Sequence, residues 1–253
     1  MKRSAFKRRV AAIVFVLLVI GAWHVTSLYM PPVLIPGPVR VFSRFMLIWT
    51  DTDFLSYALS TIIHVVAAVT AAFTAGVLIV LLAYRFPVVQ QAVYSRLAPF
   101  LNSFSGIGWA FLSLIWLGVT DSAVVFAVAM ALLPFAIING GAGLAELDQD
   151  ILEMTTSFSR SHWRKILFVV LPMLLPYLIA TLRLCFAIAW HIVPTAELLS
   201  GSSGLGTLIS VAKARYWTDM IFAVALLNVL MVFITDRVIF VAIQNRLGRA
   251  YGR

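Results

Sequence analysis

Long apolar runs constrain this chain more than any other feature. Stretches of about twenty residues or more, nearly free of charge, recur between residues 10–30 and 221–243, with only short polar segments between them. About 20 helical residues are what a bilayer core requires. Charged residues make up 11% and hydrophobic residues 62%, with a mean hydropathy of +1.00; soluble domains carry about 25% charged residues. The chain has too little polar surface to cover a water-soluble globule of 253 residues. The runs are continuous rather than alternating with period two, which argues against a β-barrel. The expected fold class is therefore all-α, a polytopic membrane protein with about six transmembrane helices.

The first run, 10–30, follows a basic start with Lys2, Arg3, Lys7, Arg8 and Arg9. No small-x-small cleavage site follows it, so it reads as an uncleaved first span rather than a removed signal. Residues 31–56 form a loop that begins extended at Pro31, Pro32, Pro36 and Pro38. Its VRVFSRFMLIW stretch predicts a short interfacial helix. The second span is 57–84. The next apolar region, 88–118, is interrupted by Pro99 and by the polar NSFSGIG at 102–108. That pattern predicts a re-entrant or kinked piece, tolerated at membrane depth only where protein or a wet path covers it. Further spans are expected at 122–143, 166–189 and 221–243. A mixed segment, 190–220, carries the Gly-rich SGSSGLG, which lacks the Lys and strand-to-helix context of a phosphate loop and reads as a flexible turn.

Six spans put both termini on one face. That face holds fourteen of the nineteen Lys and Arg residues, which places the termini and the 146–165 loop in the cytoplasm. The net charge of +9 is thus a topology signal, not a sign of nucleic-acid binding. The expected organisation is a tail, first span and extracytoplasmic loop over 1–56, a core over 57–245, and a basic tail over 246–253.

Enzyme signatures are missing: there is no H-E-x-x-H, G-x-S-x-G or G-x-x-x-x-G-K-[ST]. His24, His64, His162 and His191 are scattered singly and read as packed or interfacial side chains, with no metal site. The lone Cys185 excludes an intrachain disulfide. The chain is expected to be no enzyme and to bind no cofactor directly, so a pump built on it must borrow its energy.

The polar loop offers a place to do so. ILEMTTSFSRSHWRKILFVVLP carries Glu153, Met154, Thr155, Ser159, Arg160, Trp163 and Arg164 before Leu171-Pro172. This pattern resembles the cytoplasmic signature of bacterial ABC importer permeases: Glu-Ala-Ala, three residues, Gly, then about a dozen residues to Leu-Pro. Met154 and Thr155 stand in place of the alanines and Ser159 in place of the glycine. If that turn needs a positive φ, a serine costs about 1–2 kcal/mol there; Ser159 or Ser161 can offset the cost by capping the next helix.

A second stretch, LRLCFAIAWHIVPTAELLSGSSGLGTLI, resembles the nitrate, sulfonate and taurine subfamily of these permeases through Arg183, Trp190, Glu197, Gly204 and Gly206. The resemblance runs from about residue 36 to 246 and is weaker near 102–109. It implies a type I importer permease in the bacterial cytoplasmic (inner) membrane. The implied partners are the lipid membrane, an ABC ATPase subunit dimer seated on the 146–165 loops, an extracytoplasmic substrate-binding protein, and a second copy in a permease homodimer. ATP and Mg would sit on the ATPase, and the cargo would be a small organic or inorganic anion. A gradient-driven secondary transporter is the alternative; it would need an ionisable relay within the spans.

Candidate pathway residues are Asn102, Ser105, Arg183, Trp190 and Glu197. A charge at mid-bilayer costs about 2.5–3.5 kcal/mol on insertion scales, so Arg183 and Glu197 imply partners or a wet cavity. On one straight helix they would stand roughly 21 Å apart and could not pair with each other. Arg183 reads either as lining the cytoplasmic half of the path or as snorkelling, and Glu197 either as an outer gate or as capping a loop.

Overall fold

The computed structural model describes residues 2–148, 151, 154 and 162–240. Helices whose bounds lie within the described residues are, in order, α1 (Lys2–Tyr29), α2 (Pro38–Thr50), α3 (Thr52–Arg85), α4 (Pro87–Ala92), α5 (Ala98–Ser103), α6 (Gly106–Leu117), α7 (Asp121–Ala145), α8 (His162–Lys165), α9 (Leu171–Ser200), α10 (Leu205–Ala214) and α11 (Thr218–Ile234). Wider π-helical turns occupy Val93–Leu97, Ile166–Val170 and Thr235–Phe240. Among the described residues there is no strand.

Among the described residues, four helices are long and apolar enough to cross a membrane: Thr52–Arg85, Asp121–Ala145, Ile166–Ser200 and Thr218–Arg237. A fifth span is formed if Val88–Ser103 and Gly106–Leu117 count as one, and these are bent by 82° at their break. The break falls within the polar 102–108 segment, as expected. Ser105 caps α6 by accepting from the Gly108 N–H at 3.1 Å, so the sequence chemistry of a helix start is built into the bend. Within the expected first span, 10–30, the stretch Ile13–Tyr29 of α1 is apolar and helical.

Two of the π turns share a cause. Val93–Leu97 precedes Pro99 and Ile166–Val170 precedes Pro172. A proline cannot donate to the carbonyl four residues back and collides with it. Widening the turn that contains residues 95 and 168 moves that carbonyl aside and lets each helix continue.

α7 is the central helix. Of its apolar window 56% is buried, against 28–33% in the other three long spans. Lipid is as apolar as leucine, so helices in a bilayer associate through close packing of small residues. Ala68, Ala72 and Gly76 of α3 repeat at four-residue spacing and are buried. A Cβ on Gly76 would lie 2.5 Å from Ala136 Cβ of α7, so the two backbones nearly touch.

The expected interfacial helix is α2, but it is more than a surface element. Val41, Phe45 and Ile48, spaced by four and three residues, are buried and join Leu205, Leu208, Met220 and Leu227 in a second core. Arg44 Nε donates to Asp219 Oδ2 of α11 at 2.8 Å. These contacts fix the entry to α3, whose N-cap Asp51 accepts from the Asp53 N–H.

Candidate functional site

The fifth span does not stop near 189. α9 runs unbroken to Ser200 through Pro194, because Trp190, Val193, Ala196 and Glu197 are all buried there and packing outweighs the lost backbone bond. Glu197 is 1% exposed. Its Oε2 accepts from Thr61 Oγ1 at 2.9 Å and from the Gly206 N–H at 2.8 Å, and its Oε1 lies 2.8 Å from His64 Nδ1. The Leu205 N–H donates to Thr61 Oγ1 at 2.7 Å. Gly204 has no side chain to cap α10, so Glu197 and Thr61 take the first two amides of that helix. Of the two readings for Glu197, capping is the one its geometry displays.

The network continues outward. His64 Nε2 lies 3.6 Å from Asp121 Oδ1, and that oxygen accepts from Ser202 Oγ at 2.6 Å and Ser203 Oγ at 2.9 Å. The Thr120 N–H donates to the Ser200 carbonyl at 3.1 Å. SGSSGLG is therefore a held turn, not the flexible one expected: Ser202 and Ser203 are bonded to Asp121, and Gly204, at φ +103°, leaves the space that the Glu197 carboxyl fills. A Cβ there would sit 2.2 Å from that carboxyl carbon.

Arg183 forms a second cluster at the middle of the Ile166–Ser200 span. Its Nε donates to Asp236 Oδ1 at 2.7 Å, and its Nη2 also lies 2.7 Å from Oδ1. Trp190 Nε1 donates to Thr235 Oγ1 at 3.1 Å. Arg183, Phe186, Ala187, Trp190, Thr235 and Asp236 line one cavity between α9 and the end of α11. The pair answers how the charge is carried inside a span. Asp236 was not picked out from sequence, although an acid inside the last apolar run was the available signal.

The predicted pathway residues thus fall in two groups along α9. The α5–α6 break packs on the upper part: a Cβ on Gly106 would lie 3.2 Å from Ile192. Asn102 and Ser105 are exposed at that break. Arg183 and Trp190 share the cavity lower down, while Glu197 is sealed in its own network. Arg183 and Glu197 do not pair with each other; each has a partner from another helix.

In the 146–165 loop, Ile151 and Met154 are helical and exposed, and α8 contains Trp163 and an exposed Arg164. Glu153, Thr155, Ser159 and Arg160 lie outside the described residues, as does the turn expected at Ser159. Pro172 is in the first turn of α9. The loop's base is anchored: Leu147 is buried against Val170, Leu174 and Leu178. A Cβ on Gly143 would lie 2.6 Å from Tyr177 Cβ, so α7 and α9 approach closely where the loop leaves.

Residues 68–249 match the model of the family described as binding-protein-dependent transport system inner membrane component. The chain belongs to this family. The putative aliphatic sulfonates transport permease protein SsuC of Escherichia coli K12 is 30% identical over 125 residues, covering 49% of this chain and 48% of that protein. The taurine transport system permease protein TauC of the same strain is 22% identical over 236 residues, covering 91% and 85%. The riboflavin transport system permease protein RibX of Chloroflexus aurantiacus is 27% identical over 237 residues, covering 92% and 86%. In fold the chain is similar to an inward-facing structure of the MetNI methionine ABC transporter, with a TM-score of 0.61 at 16% identity, covering 76% of this chain and 93% of that one. The family match makes the chain an inner-membrane transport permease component. It encloses Arg183, Glu197 and Asp236.

Proposed function

We propose that the chain is the permease of an ATP-driven importer for a small organic or inorganic anion such as a sulfonate, taurine or nitrate. The family match over 68–249 carries the importer reading. The names of SsuC and TauC support the anion class, and RibX shows that the same scaffold serves other cargo. Two copies of the chain line the pathway, a binding protein delivers the cargo outside, and two ATPase subunits dock on the 146–165 loops inside. ATP and Mg belong to those subunits. Both termini face the cytoplasm.

The geometry suits a lever. α7 and α9 are joined near the cytoplasmic face by the loop and, at their far ends, by Asp121–His64–Glu197 and the Thr120–Ser200 backbone bond. Two helices tied at both ends and packed on α3 move as one body, so a push at the loop reaches the extracytoplasmic end. The ionisable clusters at His64 and Arg183 are the groups a gradient-driven transporter would need, but the family match favours the binding-protein-dependent reading.

The test is co-purification and uptake. The tagged full chain should bring down an ABC ATPase, and Glu153→Lys should reduce both that recovery and ATP-dependent uptake by more than tenfold. Recovery of no ATPase, together with unchanged transport in Glu153→Lys, would sink the reading.

A further inference from the structure

Three observations meet at Arg183. The ion pair is open rather than sealed: the Arg183 and Asp236 side chains are 36% and 42% exposed. Arg183 Nε and Nη2 both lie 2.7 Å from one oxygen, Oδ1 of Asp236. The cavity beside the pair is lined on its apolar side by Phe186, Trp190, Ala187 and Val232. Trp190 is held by Thr235, the neighbour of Asp236 in sequence, so ring and carboxylate are positioned together.

From this we propose that Arg183 and Asp236 form an anion-exchange site where the middle of the Ile166–Ser200 span meets the end of the Thr218–Arg237 span. The cargo's oxyanion group takes the guanidinium in place of the Asp236 carboxylate, and Asp236 re-forms the pair as the cargo leaves. The inference rests on the anion-importer reading above. A planar guanidinium matches the spacing of sulfonate, carboxylate or nitrate oxygens. The apolar side of the cavity takes the apolar part of an organic anion. Asp236 serves two ends. It keeps the guanidinium compensated while the site is empty, and it competes with the cargo so that binding stays weak enough for release, as passage through a pathway requires.

The rival role is a static brace between α9 and α11, and a neutral pair separates the two. The wild-type chain, assembled with its ATPase and binding protein in proteoliposomes, is offered radiolabelled taurine, ethanesulfonate and nitrate. Arg183→Gln/Asp236→Asn keeps polar groups of the same shape and removes both charges. It should assemble with the ATPase yet lose more than tenfold of uptake, with Arg183→Lys recovering part of it. Asp236→Asn alone should lower KM and the maximal rate several-fold each, since the cargo then meets no competitor and leaves slowly. Uptake within twofold of wild type in the neutral pair would overturn the exchange site and leave the importer reading intact. Should the neutral pair fail to assemble, an unchanged KM in Asp236→Asn would overturn it equally. A wild-type chain that moves none of these three oxyanion-bearing compounds but imports cargo without an oxyanion group would overturn the anion reading, and the exchange site with it.

Discussion

His64 Nδ1 lies 2.8 Å from Glu197 Oε1, joining α3 to α9 across 133 residues of sequence. Around that contact the Glu197 carboxyl also serves Thr61 and the Gly206 amide, so one side chain holds three separate segments. Truncation strands several buried polar groups at once.

Glu197→Ala is therefore expected to destabilise the protein by about 3–5 kcal/mol, the range for removing one partner of a buried charged set. Glu197→Gln, which keeps the shape and some of the bonds, should cost about 1–3 kcal/mol. Thermal unfolding of the purified protein in detergent checks both; an alanine variant that melts with wild type would contradict the hub.

Gly204 and Gly118 give a controlled comparison. Both have positive φ, +103° and +71°, but a Cβ on Gly118 meets nothing within 4 Å, whereas one on Gly204 strikes Glu197. Gly118→Ala should cost about 1–3 kcal/mol from backbone strain alone, because φ +71° with ψ −164° is a region that essentially only glycine adopts. Gly204→Ala should cost clearly more, because the carboxyl must move. The same melting assay reads the order, and equal losses would refute it.

Helix packing makes a parallel contrast. Gly76→Ala drives a methyl into Ala136 and should cost about 1–3 kcal/mol. Gly21→Ala meets open space and should be neutral or slightly favourable, since alanine gains about 1 kcal/mol over glycine in a helix. Similar melting temperatures for the two variants would argue against close contact of α3 and α7.

What holds α2 in place can be decided by magnitude. The Arg44–Asp219 pair is 35% and 23% exposed, and such partly solvated pairs contribute about 0–1 kcal/mol. Ile48 is fully buried, and Ile48→Ala should cost about 2–5 kcal/mol. A double-mutant cycle on Arg44 and Asp219, set beside Ile48→Ala, should rank the apolar contact first. A coupling energy larger than the isoleucine loss would reverse that ranking.

Much of this was legible in the sequence. The helical membrane class followed from unbroken apolar runs, the bend from Pro99 and the polar 102–108 segment, and the family from the loop and the Arg183–Gly206 stretch. Segment ends were less legible. The mixed composition of 190–220 suggested a span ending near 189, yet α9 continues through Pro194 to Ser200 because buried neighbours compensate for the proline. SGSSGLG looked like a free turn because its glycines say nothing of what fills the space they leave.

Hydropathy and charge bias are local properties, so the sequence by itself determined that the chain crosses a membrane, which loop is basic and which charges needed partners. Only the tertiary structure decided who those partners are: Asp236 for Arg183, 53 residues on, and His64 for Glu197. Which polar groups meet depends on how helix faces are turned toward each other. That rotation is set by small-residue contacts such as Gly76 on Ala136, summed over helices distant in the chain.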